Sequence, residues 1–157
     1  MRTLERLGRR ASAVLASDYG SGALGPRAIE ALRKVRRGGV PVCVDSRYNL
    51  RAYAGLTMVK PNEVELETAS GVALSGPGAI ERAARVLQRR LDCDVLLVTR
   101  GRNGMSVFRR GLPPVHVPAH GSQDAVDVTG AGDTVAATFS AGLAAGGDAL
   151  AAARLAN

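Results

Sequence analysis

The chain has 157 residues, 46% of them hydrophobic, and its formal net charge is +7 because 21 Lys and Arg stand against 14 Asp and Glu. This length and composition predict a globular protein with one sizeable core. They argue against a membrane span, since no apolar run approaches about 18 residues. They also argue against a nucleic-acid surface, because the arginines are scattered in pairs with few aromatic residues between them, as on solvated helix ends and loops.

Strand and helix patterns alternate along the chain. Residues 1–7 carry charge without a following apolar signal core, which predicts a cytoplasmic protein. Short apolar or β-branched runs then predict strands at residues 13–17, 40–45, 56–59, 94–99, 105–108 and 115–117. Helices are predicted at residues 26–37, from about residue 61, and at 77–91, and two Ala-rich helices close the chain. This alternation predicts an α/β fold with a mainly parallel sheet flanked by helices.

Polar or glycine residues follow the ends of several predicted strands, namely Asp18, Asp45, Asn62, Thr99 and Gly101. The carboxyl ends of parallel strands meet at one edge of a sheet, where ligands of α/β proteins bind. We therefore expect these residues to converge at that edge. Taken singly, each of them is equally well explained as a turn or helix-cap residue.

The segment 127–133 reads Asp-Val-Thr-Gly-Ala-Gly-Asp and runs into an Ala-rich helix predicted over residues 134–145. Apolar residues spaced four apart, Val135, Phe139 and Leu143, give that helix one buried stripe. Two consecutive glycines, at residues 146 and 147, predict the end of this helix.

Gly130 and Gly132 flank Ala131, so successive backbone amides can turn toward an anion at the start of that helix. Asp133 lies beside those amides. An anion cradle next to a carboxylate suits phosphoryl transfer to an alcohol, in which the amides of Gly130, Ala131 and Gly132 hold charge and Asp133 accepts the proton. The alternative is that Asp133 caps a helix and the glycines form a turn.

Three segments in this order resemble the PfkB (ribokinase-like) carbohydrate kinases. Residues 127–133 resemble the C-terminal signature of that family, residues 60–65 its Asn-x-x-Glu motif, and residues 98–105 its nucleotide-side strand and glycine turn. Three further segments are similar to the heptose-7-phosphate kinase branch, the kinase half of bifunctional ADP-heptose synthesis proteins: residues 17–24, 40–45 and 53–57.

The resemblance implies a ribokinase-like fold in which residues 1–157 form a single α/β domain, the C-terminal nucleotide-binding and catalytic half of a sugar kinase. The N-terminal half and its lid are not recognisable in the sequence, so the fold is expected to be incomplete. The implied activity is transfer of the γ-phosphoryl group of ATP to a sugar or sugar-phosphate hydroxyl, with heptose 7-phosphate as the favoured acceptor. Another sugar or nucleoside of the family, or a non-catalytic nucleotide-binding remnant, are the alternatives.

The resemblance also implies roles for individual residues. Asn62 and Glu65 organise the nucleotide phosphates and Mg²⁺, with Glu65 acting through water because that ion sheds its hydration reluctantly. On the residues alone, a capped helix start explains Asn62 and its acidic neighbours equally well. Thr99, Gly101 and Gly104 contact the nucleotide, although a turn between strands explains them almost as well.

The remaining implied ligands are two pairs of residues. Asp127 and Thr129 help to bind a monovalent cation such as K⁺. Asp18 and Asp45 face the sugar or its phosphate, although this chain has Ser46 followed by an arginine where the heptose kinase branch usually shows Pro-Lys. The expected partner is thus a small-molecule sugar or sugar phosphate, without nucleic acid or membrane, and a homodimer would pair any sheet edge left open.

Overall fold

A computed structural model describes residues 2–120 and 130–157. The helices are α1 (Arg2–Gly8), α2 (Pro26–Arg37), α3 (Glu63–Ser70), α4 (Ala79–Leu91), α5 (Ala131–Ala144) and α6 (Ala149–Leu155). The strands are β1 (Val14–Asp18), β2 (Val42–Ser46), β3 (Met58–Val59), β4 (Val95–Thr99), β5 (Met105–Arg109) and β6 (Val115–Val117). Two short 3-10 helices span Leu50–Tyr53 and Gly101–Asn103.

The strands of the described residues form one sheet in the order β1-β2-β3-β4-β5-β6. β1 to β4 are parallel to one another, whereas β5 and β6 continue the sheet as an antiparallel meander. Parallel neighbours require crossover connections, which α2, the first 3-10 helix, and α3 with α4 provide. The predicted α/β fold with a mainly parallel sheet is confirmed.

Helices cover both faces of this sheet. Neighbouring residues of a strand point to opposite faces, so Leu96 of β4 packs with Leu87 of α4 while Leu97 packs with Phe139 of α5. A further cluster joins α2, through Leu32, to β1 and β2. Because β4 is buried on both sides, its sequence is a continuous apolar run, as expected for a central parallel strand.

The predicted elements agree with the structure to within about three residues at their ends, which is the usual uncertainty of helix and strand boundaries. The largest shift among the helices is in α5, which begins at Ala131, so Asp133 lies in its first turn as expected. Its stripe is confirmed, since Phe139 is fully buried and Val135 and Leu143 pack against the same cluster.

Sequence patterns did not predict α1 or the two 3-10 helices. α1 has seven residues and no long apolar stripe, so its stability comes from tertiary contacts. Gly8 packs directly against Val35 of α2, and Lys34 forms a 3.0 Å ion pair with Glu5. Across residues 2–120 and 130–157, no helix has both the length and the hydrophobicity required to cross a bilayer.

Candidate active site

A cavity of about 550 Å³ opens at the edge of the sheet where the parallel strands end. The residues around it come from distant parts of the chain: Ser17, Asp18, Tyr19, Asp45, Arg47, Lys60, Asn62, Glu65, Thr99, Gly101, Gly104, Met105, Ala119, His120, Gly130, Ala131, Gly132, Asp133, Val135, Ala156 and Asn157. Its volume lies within the range of small-molecule sites. The predicted convergence at this edge is therefore observed.

The N-terminus of α5 forms one wall of the cavity. Gly130 precedes the helix with a φ of +78°, a left-handed conformation that favours glycine, and it supplies no side chain to cap the first amides. A Cβ built on Gly132 would lie only 3.3 Å from Lys60 Nζ. The helix start is thus open to the cavity and close to a cation, which is an arrangement suited to holding an anion.

Asp133 is exposed and faces this cavity. Its Oδ1 accepts a 2.6 Å hydrogen bond from the hydroxyl of Tyr19, which directly follows β1. The guanidinium carbon of Arg47 lies over the Tyr19 ring, 5.4 Å from the ring centroid. The carboxylate of Asp133 thus accepts a hydrogen bond from a hydroxyl group next to β1. A general base that activates an alcohol must accept a hydrogen bond of the same kind.

Asn62 and Glu65 form a reciprocal capping box at the start of α3. Asn62 Oδ1 accepts from the Glu65 amide at 2.8 Å, and Glu65 Oε2 accepts from the Asn62 amide at 2.9 Å. The capped-helix interpretation of this motif is thus correct, but both residues also line the cavity. The cap holds the Glu65 carboxylate at the cavity wall.

The environment of Glu65 fits a hydrated divalent cation. Burial raises the pKa of Glu65, and the Asn62 amide and the nearby Lys60 charge oppose that rise. Across the described ranges, no three His, Cys, Asp or Glu side chains cluster closely enough to hold a metal ion by themselves. Mg²⁺ usually takes one or two carboxylates, substrate phosphates and water, so a single carboxylate at this wall suits that ion.

The turn between β4 and β5 forms another part of the cavity wall, through Thr99, Gly101 and Gly104. The turn is tight, because the Gly104 amide donates to Gly101 O at 3.0 Å and the Arg100 amide donates to Gly104 O at 2.8 Å. Gly101 and Gly104 have φ values of +52° and +77°. Both glycines therefore have a structural reason to be glycine, in addition to their place beside the cavity.

Asp18 is held mainly by the protein itself. It accepts from the Gly20 amide at 2.9 Å, from Ser46 Oγ at 2.9 Å and from Tyr53 Oη at 2.7 Å. Burial alone would raise the pKa of Asp18, but these hydrogen bonds outweigh it and hold the pKa below its ordinary value. Asp18 thus fastens the end of β1 to β2 at the cavity edge.

Asp45 is paired with a buried lysine that sequence patterns did not single out. Its Oδ1 lies 3.1 Å from Lys60 Nζ, and the two side chains are 12% and 5% exposed. Burial raises the pKa of Asp45, and the charge and hydrogen bond of Lys60 oppose this rise. The one available sequence signal was the position of Lys60, which directly follows β3 and is the first residue of the segment 60–65 that contains the Asn-x-x-Glu motif.

The structure thus brings together at one cavity every predicted site residue that it describes. Asp127 and Thr129 lie outside the described residues, so the monovalent-cation site stays a prediction. Tyr19, Arg47 and Lys60 are further polar residues of the cavity that had no assigned role from sequence. Their side chains reach the site through tertiary packing, which residue spacing does not encode.

Sequence comparisons relate the chain to one group of proteins. The model of the pfkB family carbohydrate kinases matches residues 5–157. The chain is 44% identical over 146 residues to the bifunctional protein HldE of Pelobacter propionicus, covering 92% of this chain and 30% of that protein. It is 41% identical over 156 residues to the bifunctional protein HldE of Paramagnetospirillum magneticum, covering 98% of this chain and 32% of that protein. The chain spans about a third of the length of these relatives.

Comparisons of structure identify the same architecture. Arabidopsis thaliana ribokinase, solved with ribose and ATP, superimposes with a TM-score of 0.84 at 24% identity, over 99% of this chain and 50% of that one. Escherichia coli phosphofructokinase-2, solved with substrates and products, gives a TM-score of 0.77 at 21% identity, over 99% of this chain and 52% of that one. The fold is therefore ribokinase-like, and the chain corresponds to about half of each of these proteins.

Proposed function

Because this chain belongs to the pfkB family of carbohydrate kinases, we propose that residues 1–157 form one α/β domain, the nucleotide-binding and catalytic half of an ATP-dependent sugar kinase. The single observation that carries this proposal is the exposed carboxylate of Asp133 beside the start of α5, whose N-cap residue is a glycine, within one cavity. The proposed reaction transfers the γ-phosphoryl group of ATP to a hydroxyl of a sugar or sugar phosphate.

Asp133 is the proposed general base. Its Oδ1 accepts a 2.6 Å hydrogen bond from the Tyr19 hydroxyl, and this contact supports the proposal that it can accept one from the hydroxyl of an acceptor. The acceptor proton would pass to Asp133 as the acceptor oxygen bonds to phosphorus. The amides at Gly130, Ala131 and Gly132 would then hold the charge on the transferred group. These two functions require the carboxylate and the helix start to be adjacent, as they are in sequence and in space.

The nucleotide would bind against other residues of the same cavity. Asn62 and Glu65, at the start of α3, are proposed to contact its phosphates, and Thr99, Gly101 and Gly104 line the same cavity. When bound, Mg²⁺ would neutralise charge on the phosphates, and Glu65 is the carboxylate placed to hold its water ligands. Asp127 and Thr129 are proposed to assist a monovalent cation such as K⁺.

Heptose 7-phosphate is the proposed acceptor. The support is the 44% and 41% identity to two bifunctional HldE proteins over almost the whole chain. Arg47, which lines the cavity and lies over the Tyr19 ring, adds a cation that suits an acceptor already carrying a phosphate. Another sugar or nucleoside of the family is the alternative acceptor.

The test compares two aspartates that both lie at helix starts. Asp133→Asn should lower ADP release in the presence of ATP, Mg²⁺ and the acceptor by about 10²-fold or more, because it removes the base. Asp148, which caps α6 through the Leu150 and Ala151 amides, provides the matched control. Asp148→Asn should leave turnover unchanged, since asparagine also caps helices.

The acceptor panel should include heptose 7-phosphate, unphosphorylated sugars and nucleosides, with each assay run on the full chain. Turnover with heptose 7-phosphate above all others supports the proposed substrate. Normal turnover in Asp133→Asn would show that Asp133 is not the general base. Nucleotide binding without turnover on any acceptor would favour the non-catalytic nucleotide-binding alternative.

A further inference from the structure

Lys60 is a buried lysine whose ammonium group faces the cavity. Its side chain is 5% exposed, and its backbone amide donates to Val44 O at 2.9 Å, which fixes the chain at the end of β3. The ammonium lies 3.1 Å from Asp45 Oδ1. An ammonium group has three N–H donors, and Asp45 is its one hydrogen-bonded partner among the described residues. Within the part of the chain that the structure describes, two of its three donors are therefore left for a ligand in the cavity.

The position of Lys60 relative to α5 indicates which part of a ligand it would meet. A Cβ built on Gly132 would lie 3.3 Å from Lys60 Nζ, so the ammonium sits directly against the start of the helix. The positive end of the helix dipole and a full positive charge thus converge on one point. Asp133, the proposed base, borders the same point. A multiply charged anion such as a phosphoryl group is the chemistry that this point would bind.

Stability alone is a weak reason for this buried ion pair. Taking two charges out of water offsets most of their attraction, and apolar residues of similar size often stabilise a protein as well or better. Asp45 and Lys60 instead form part of a cavity wall that also contains Glu65 and Asp133. A cation among these carboxylates lowers their mutual repulsion and lets an anionic substrate approach.

We propose that Lys60 is a catalytic residue that binds the transferred phosphoryl group, and that Asp45 is the positioning residue that holds Lys60 in place. This inference rests on the proposed function. In the step, the bond between the γ-phosphorus and the bridging oxygen of ADP breaks while a bond to the acceptor oxygen forms, and Asp133 takes the acceptor proton. Lys60 keeps its own proton and contributes only charge and hydrogen bonds to the phosphoryl oxygens.

The test uses nucleotide binding to the full chain, so that it does not depend on turnover. Binding of the analogue adenosine 5′-(β,γ-imido)triphosphate and of ADP, both with Mg²⁺, is measured by calorimetry. Lys60→Met should weaken triphosphate binding by about tenfold or more, because it removes a charged hydrogen bond to the terminal phosphoryl group. ADP binding should change by less than about threefold. Lys34→Met, which removes an exposed lysine on α2, is the control and should change neither.

A second variant guards against misfolding, because Lys60→Met leaves Asp45 buried without its cation. The double variant Lys60→Met/Asp45→Asn removes both charges and should show the same selective loss of triphosphate affinity. If triphosphate affinity is retained, or if both nucleotides are lost to the same extent, Lys60 does not bind the transferred group. If the unmodified chain binds neither nucleotide, the proposed kinase function itself fails, and this inference fails with it.

Discussion

Gly104, which immediately precedes β5, should tolerate alanine far less well than Gly101 in the same turn. Gly104 has φ +77° and ψ −131°, a conformation that L residues rarely adopt and that costs about 1–3 kcal/mol for a residue with a Cβ. A Cβ there would overlap the Val117 carbonyl oxygen and lie 2.5 Å from the Ala119 amide nitrogen. Such overpacking against backbone adds about 1–3 kcal/mol. Gly104→Ala should therefore cost about 2–6 kcal/mol of unfolding free energy.

Gly101→Ala is the matched control, because Gly101 also has a positive φ, of +52°, but a Cβ there would meet nothing within 4 Å. It should cost only about 1–2 kcal/mol. Urea unfolding followed by circular dichroism measures both variants. With a typical urea dependence, a difference of about 2 kcal/mol lowers the midpoint of Gly104→Ala by about 1 M relative to Gly101→Ala. Equal midpoints for the two variants would refute the close approach between this turn and the segment after β6.

Three other variants test separate features of the structure. Gly142→Ala should lower the melting temperature, because its Cβ would lie 2.9 Å from that of Ala152 and would force α5 and α6 apart at a cost of about 1–3 kcal/mol. Asp18→Asn should reduce the acid sensitivity of folding: the folded pKa of Asp18 lies below its ordinary value of 3.8, so its stabilisation is present above that pH and is lost as the pH falls through the folded pKa. Tyr19→Phe should change the unfolding free energy by less than about 0.5 kcal/mol, because Tyr19 is exposed and its bond to Asp133 is at the surface.

Each of these variants has an outcome that contradicts its reasoning. An unchanged melting temperature in Gly142→Ala would mean that α5 and α6 do not pack closely. If the unfolding free energies of Asp18→Asn and of the unmodified chain fall in parallel between about pH 5 and about pH 2, the hydrogen bonds to Asp18 do not stabilise its charged form. A loss of several kcal/mol in Tyr19→Phe would show that the bond to Asp133 supports the fold rather than bordering the site.

The fold could be predicted largely from local patterns. The apolar run of β4 and the four-residue spacing of Val135, Phe139 and Leu143 are signals carried by neighbouring residues, so they can be interpreted without knowing what packs against them. α1 lacked such a signal. Its helical state depends on Gly8 packing against Val35, a contact that exists only once α2 is in place.

The Asn62–Glu65 motif shows what a local sequence pattern predicts and what it leaves open. Its spacing was compatible with a helix cap and with a phosphate and metal site, and the structure shows the cap in full. Whether Glu65 also faces a cavity depends on where β3 and β4 place the start of α3. Spacing along the chain contains no information on that placement, so the sequence left both interpretations open.

The sequence by itself determined the alternation of strands and helices and the glycine-rich start of α5 with Asp133 in its first turn, because these depend on backbone geometry and on residues a few positions apart. Only the tertiary structure decided that Lys60 is buried against Asp45 and that Tyr19, 114 residues from Asp133, donates to its carboxylate. These contacts form where separate strands end at a common edge of the sheet. They depend on the order and register of the strands, which no single segment specifies.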